Sequence, residues 1–90
     1  MLKIIRTSRF IKDLKRATKN HKDIKKLHKV VDTLQQTGKL PRKYKPHKLS
    51  GNWHPKWECH IESDWLLIYE INKKELALVR LGNHSDLFAI

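Results

Sequence analysis

The sequence predicts an α+β domain, with two N-terminal helices packed on one face of an antiparallel sheet. Three observations predict it. A short β-branched segment opens the chain. Apolar residues then recur at helical spacing through two consecutive stretches. Finally, apolar runs at 57–61, 65–71 and 76–81 follow one another with only brief polar connectors between them. The expected order is β-α-α-β-β-β within one domain spanning residues 1–90.

Leu2 to Arg6 is the first strand. Thr7 and Ser8 offer helix N-caps, and Phe10, Ile11, Leu14 and Ala17 give a helix over residues 8–18. Asn20 is expected to cap a second helix, with Asp23 in its first turn, where the helix dipole favours an acid. Ile24, Leu27, Val30, Val31 and Leu34 form its apolar stripe, and Lys22, Lys25, Lys26 and Lys29 lie opposite. Gly38 suits the C-terminal cap, and Pro41 blocks continuation. In the C-terminal half, Glu62-Ser63-Asp64 and Asn72-Lys73-Lys74-Glu75 are connectors short enough for hairpins, so the last three strands form a meander. Its middle run, Trp65-Leu66-Leu67-Ile68-Tyr69, is apolar on both faces, as a central strand is.

Lys and Arg number 20 against 9 acidic residues, a formal net charge of +11. Charge of one sign at that density serves phosphate, and RNA is the expected partner. A merely soluble surface does not need it. The single cysteine, Cys59, has no internal disulfide partner, which fits a reducing cytoplasm. Charge interrupts the N-terminal apolar run at Lys3 and Arg6, so neither a signal peptide nor a membrane span is expected, and no membrane partner.

The stretch 39–56 differs from the rest, holding all three prolines and no periodic pattern. A loop of this length is commonly functional. Tyr44 and Trp53 are interleaved with Lys43, Lys45 and Lys48, and Lys56 closes the segment. Such a mixture pairs phosphates and stacks bases, making Lys43, Lys45, Lys48, Trp53 and Lys56 candidate RNA contacts. Trp53 serves equally well as a pin between loop and core.

A meander places the end of its first strand, the start of its second and the end of its third at one end of the sheet. His60, Asp64, Arg80 and His84 therefore gather there, and His47 in the preceding loop can reach them. RNA cleavage by its own 2′-hydroxyl requires a proton acceptor, a proton donor and cations for the phosphorane. Histidine suits both proton roles near neutral pH, and arginine grips phosphate oxygens in two places. Whether Arg80 shares a face with His60 depends on the two hairpin registers. Cys59 and His60 point to opposite faces, and no CxxC or HxxxH spacing occurs, so no metal site and no cofactor are expected.

Three blocks carry a resemblance. They are His47-Lys48-Leu49-Ser50-Gly51-Asn52-Trp53, then His60 through Asp64-Trp65 to Tyr69, and finally Arg80-Leu81-Gly82-Asn83-His84 through Leu87-Phe88. Together the blocks match H-x-L-x-G-x-W, H-x-x-x-D-W-x-L-x-Y and R-x-G-x-H-x-x-L-F. In this the chain resembles type II toxins of the RelE/ParE superfamily, specifically the YafQ branch. The sequence runs two residues, Ala89 and Ile90, past that pattern. The resemblance implies a ribosome-dependent endoribonuclease that cuts mRNA, leaving a cyclic phosphate and a 5′-hydroxyl. It implies a cognate antitoxin that silences the toxin, and operator DNA bound only through the toxin–antitoxin complex. The 70S ribosome, with its rRNA, and mRNA are the other implied partners. It also implies that His47, His60, Asp64, Arg80, His84 and Phe88 form the catalytic set. His84 would protonate the leaving oxygen, and His60 or Asp64 would take the 2′ proton or orient the group that does. His47 and Arg80 would hold phosphate, and Phe88 would position a base. Two rivals keep the fold or the charge without the chemistry: a ParE-like gyrase poison, and a non-enzymatic ribosome- or RNA-binding module.

Overall fold

The structure, a computed structural model, describes residues 1–88; Ala89 and Ile90 lie outside the described residues. The elements are β1 (Lys3–Arg6), α1 (Ser8–Lys19), α2 (Ile24–Thr37), β2 (His47–Lys48), β3 (Trp57–Glu62), β4 (Trp65–Ile71), β5 (Glu75–Gly82) and α3 (His84–Phe88). Single 3-10 turns at Arg42–Tyr44 and Gly51–Trp53 punctuate the long loop.

The strands form one sheet in the order β1-β5-β4-β3-β2. The meander β3-β4-β5 is antiparallel, as expected. The sheet departs from the expected antiparallel one at its edge, because β1 runs parallel to β5, with Lys3 opposite Glu75 and Arg6 opposite Leu78. The two helices and the long loop carry the chain from β1 to β2 at the opposite edge, and the meander then brings β5 back alongside β1.

Local chemistry sets the helix ends. Thr7 is the α1 N-cap, its Oγ1 accepting from the Phe10 N–H at 3.0 Å. Asn20, expected to start α2, instead closes α1, its own N–H donating to the Arg16 carbonyl. Asp23 is the α2 N-cap and accepts from the Lys25 N–H at 3.1 Å. Both residues are good caps, and the one adjacent to the Ile24 stripe wins. Gly38 ends α2 at φ 74°, where a side chain would be strained.

The helices bury Phe10, Ala17, Leu27, Val30, Val31 and Leu34 against Cys59, Ile61, Leu67, Tyr69, Leu76, Leu78 and Leu81 on one sheet face. Burial raises the Cys59 thiol to about 12, which keeps it a protonated, inert core group. On the other face Leu66 and Ile68 are covered by Leu87 of α3, with Leu49, Trp53, Val79 and Phe88 around them. The long loop and α3 are thus the lid of the second face, and the candidate site lies beside them. No described helix is long and apolar enough to cross a membrane.

Candidate active site

Registers decide which side chains share the second face. His60 stands opposite Leu66, which stands opposite Gly82. One row further in, Glu58 stands opposite Ile68, and Ile68 opposite Arg80. A bulge between Ile68 and Tyr69 pairs Tyr69 with Leu78, leaving Val79 as the extra residue. That bulge brings Arg80 onto the face of Glu58 and His60. Arg80 is two strands away from Glu58, roughly 10 Å at about 4.8 Å per strand.

His84 begins α3 immediately beyond β5. Gly82 permits this tight return, since an added Cβ would meet Asp86 Cβ at 3.2 Å and Leu87 Cδ2 at 3.3 Å. Asp64, in the β3–β4 turn, accepts from the His84 backbone N–H at 3.1 Å and from His84 Nδ1 at 2.8 Å, both on Oδ1. The two bonds orient the imidazole and commit Nδ1 as donor, which leaves Nε2 outside that pair. They also hold the Asp64 carboxyl below its ordinary 3.8, the backbone bond contributing most. A proton acceptor needs the opposite shift, so Asp64 is placed to orient His84 and badly suited to collect a proton.

His60 faces His84 with ring centres 5.8 Å apart. Its Nδ1 lies 3.2 Å from the Ser63 carbonyl and so carries hydrogen, which leaves Nε2 toward Glu58 Oε1 at 3.5 Å. His47 repeats the arrangement from β2. Its Nδ1 donates to the Lys45 carbonyl at 3.0 Å, and its Nε2 lies 3.4 Å from the same Glu58 oxygen. Pairing of His47 with Glu58 across β2 and β3 creates this contact. Glu58 is only 3 % exposed. The two imidazoles flank a carboxylate whose burial would make an unpaired charge costly. Sequence reasoning missed Glu58, although its place two residues from His60 on a strand put both on one face.

Arg80 is bound to α1. Its Nε donates to Asp13 Oδ2 at 2.7 Å and an Nη to Asp13 Oδ1 at 3.2 Å. Asp13, itself 6 % exposed, also accepts from the Leu81 N–H at 3.0 Å, capping the part of β5 that β1 does not reach. The Asp13 hydrogen bond raises the Arg80 pKa further above its usual range. Two of the guanidinium's five donors are thereby committed, leaving about three.

Phe88 packs beside His84, ring centres 6.1 Å apart, and Trp53 meets Phe88 edge to face at 5.7 Å. Trp53 thereby joins the lid of the second core. The RNA-contact candidates divide. Lys43 and Lys45 flank the outer end of β3 beside His60. Lys48 instead lies over the Trp57 ring at 5.9 Å, and Lys56 pairs with Glu70 at 3.7 Å. Both sit near Trp57, about 10 Å along the strand from His60 at about 3.3 Å per residue.

Ligand atoms of Glu58, His60 and His84 lie within 4.8 Å of one another, a spacing a metal ion can bridge. No spacing rule finds such a set, because it comes from β3 and from the start of α3.

The model of the type II toxin–antitoxin bacterial toxin YafQ matches residues 2–89. The chain belongs to this family. The mRNA interferase toxin YafQ of Escherichia coli K12 is 41% identical over 83 residues, covering 91% of this chain and 90% of that one. YafQ in the E. coli DinJ–YafQ toxin–antitoxin complex superposes with a TM-score of 0.90 at 39% identity, covering 97% of each chain. A metal-bound toxin from Helicobacter pylori is 49% identical with a TM-score of 0.89, covering 98% of this chain and all of that one. The YafQ-family fold is therefore the fold of this chain, with α1 and α2 on one sheet face and α3 on the other, and the chain is a toxin of a toxin–antitoxin system.

Proposed function

We propose that this toxin is a ribosome-dependent endoribonuclease that cuts mRNA by attack of the 2′-hydroxyl on the adjacent phosphate. The carrying observation is the placement of two proton-handling units across one sheet end, His84 held by Asp64 and His60 beside Glu58. The E. coli relative named an mRNA interferase supports the substrate class.

In this scheme the 2′-hydroxyl gives its proton to His60 Nε2, and Glu58 stabilises the imidazolium. The 2′-oxygen bonds to phosphorus as the P–O5′ bond breaks, and His84 Nε2–H protonates the departing 5′-oxygen. The products are a 2′,3′-cyclic phosphate and a 5′-hydroxyl. His47 and the free donors of Arg80 face the phosphorane oxygens, and Phe88 offers a ring to the neighbouring base. The chemistry needs no metal and no cofactor. A cognate antitoxin is the expected protein partner, as DinJ is for the E. coli protein.

The test is to add the protein to translating ribosomes and map message ends by primer extension. Cuts at fixed positions within codons that vanish when ribosomes are omitted support the proposal. An intact message with an active preparation would overturn it.

Two further outcomes follow from the geometry. Because the Asp64 carboxyl is held below its ordinary 3.8, a loss of rate on acidification that sets in above about pH 5 does not belong to Asp64. Asp64→Asn is expected to slow turnover by about tenfold or more through misorientation of His84 while that acid limb of the pH–rate profile stays in place. Disappearance of the limb in the variant would assign it to Asp64 instead. Secondly, Cu²⁺ bridging Glu58, His60 and His84 would occupy the nitrogens that carry protons. Micromolar Cu²⁺ is expected to inhibit cleavage, and treating the toxin alone with EDTA before desalting it into the Mg²⁺-containing ribosome assay is expected to restore it. Native toxin put through the same treatment should cut at an unchanged rate; loss of its activity would contradict acid–base chemistry by side chains.

A further inference from the structure

Beyond the two residues of β2, the outer edge of β3 is open. A groove of about 490 Å³ runs along it, between the lysine face of α2 and the turn at 42–45. Lys26 and Lys29 of α2, Lys43, Tyr44 and Lys45 of the turn, and His60 and Glu62 of β3 line it. Lys29, Lys43 and Lys45 make no salt bridge among the described residues, whereas Lys26 is tied to Glu62 at 2.8 Å. Lys43 Nζ sits 5.1 Å from the centre of the Tyr44 ring, which holds the ammonium at the groove.

We propose that this groove carries the single RNA strand on the 5′ side of the cleaved bond. The direction rests on the proton roles proposed above. The 5′-oxygen that His84 protonates belongs to the downstream nucleotide, so that nucleotide lies at α3, beside Phe88. The 2′-hydroxyl belongs to the upstream nucleotide and faces His60. From His60 the concave exit lined with lysines is this groove, and Lys29, Lys43 and Lys45 follow the strand as phosphate contacts. The lysine face of α2 thereby becomes an extension of the substrate track.

The test compares wild type with Lys29→Gln/Lys43→Gln/Lys45→Gln and with a control, Lys12→Gln/Lys15→Gln/Lys19→Gln, which removes equal charge from exposed positions of α1. The probe is a fully 2′-O-methylated 12-nucleotide single strand, which cannot be cut, followed by fluorescence anisotropy across salt concentrations. Loss of three phosphate contacts is expected to flatten the slope of log Kd against log salt by about 2 in the groove variant, with little change in the control. Equal flattening in both variants would reduce the groove to bulk charge and overturn the proposal. A groove variant that binds RNA normally but loses its antitoxin would also overturn it, in favour of an acidic protein partner. Direction is read by placing 4-thiouridine on either side of the mapped cut in a message with a 2′-deoxy at that position. Upstream cross-links to the groove peptides are expected, and downstream cross-links there would contradict the assignment. Wild type that cuts no message defeats the nuclease proposal alone, since the salt slopes report the groove without cleavage.

Discussion

His84→Ala is expected to lower the rate of message cleavage by about 10² to 10⁴, the usual contribution of a positioned general acid. The His84 side chain is half exposed and touches the fold chiefly through Asp64, so the variant should fold and melt like wild type. Single-turnover cleavage on programmed ribosomes, run beside a thermal melt of the same preparation, checks both halves. Added imidazole should restore part of the rate at mildly acidic pH. A variant that cuts within a few-fold of wild type would move the proton donor elsewhere and end the proposed roles of Asp64 and Phe88 with it.

Asp13→Ala is expected to be the most damaging substitution outside the apolar core. It removes a buried carboxylate that accepts from Arg80 twice and from the Leu81 N–H once. The loss leaves a largely buried guanidinium and a strand-edge donor without partners, which costs about 3 kcal/mol or more. At roughly 4–8 °C per kcal/mol for a domain of this size, the melting temperature should fall by more than 10 °C. Asp13→Leu/Arg80→Leu, which removes both charges, should recover much of the loss. A fall of only 1–2 °C in Asp13→Ala would show that the pair is solvated and does not tie α1 to β5.

Much of this was legible before the fold was known, for identifiable reasons. The apolar period of α2 and the double-sided hydrophobicity of Trp65–Tyr69 fix a helix and a central strand with little help from context. The meander follows from connector length and brings His60, Asp64 and His84 to one end. What stayed hidden depended on pairing details. β2 is only two residues long, too short for any alternation to show, yet it delivers His47 to Glu58. The Val79 bulge decides the face of Arg80, and the sequence around it is uniformly apolar. Two buried acids left signals that were not used. Glu58 is buried in β3 beside Trp57 and Cys59, and Asp13 lies within the Phe10–Ala17 stripe of α1. An acid on a buried face needs a partner, and each of these had one in the candidate site. Trp53, by contrast, was equally plausible as a base-stacking residue and as a loop pin, and its edge-on contact with Phe88 places it in the lid.

Net charge of +11 supplies docking to polyanions and no chemistry. In the proposed scheme the groove beside α2 and the histidine-bearing sheet end divide those two tasks between neighbouring surfaces. The central claim is that the RNA's own 2′-hydroxyl is the nucleophile, with side chains moving the protons. Replacing the single ribonucleotide 5′ to the mapped cut by its 2′-deoxy counterpart, in a message otherwise unchanged, tests that claim most directly. Cleavage at that position is expected to be abolished while the toxin still binds the programmed ribosome. Continued cutting at the deoxy position, yielding a product without a cyclic phosphate, would contradict it.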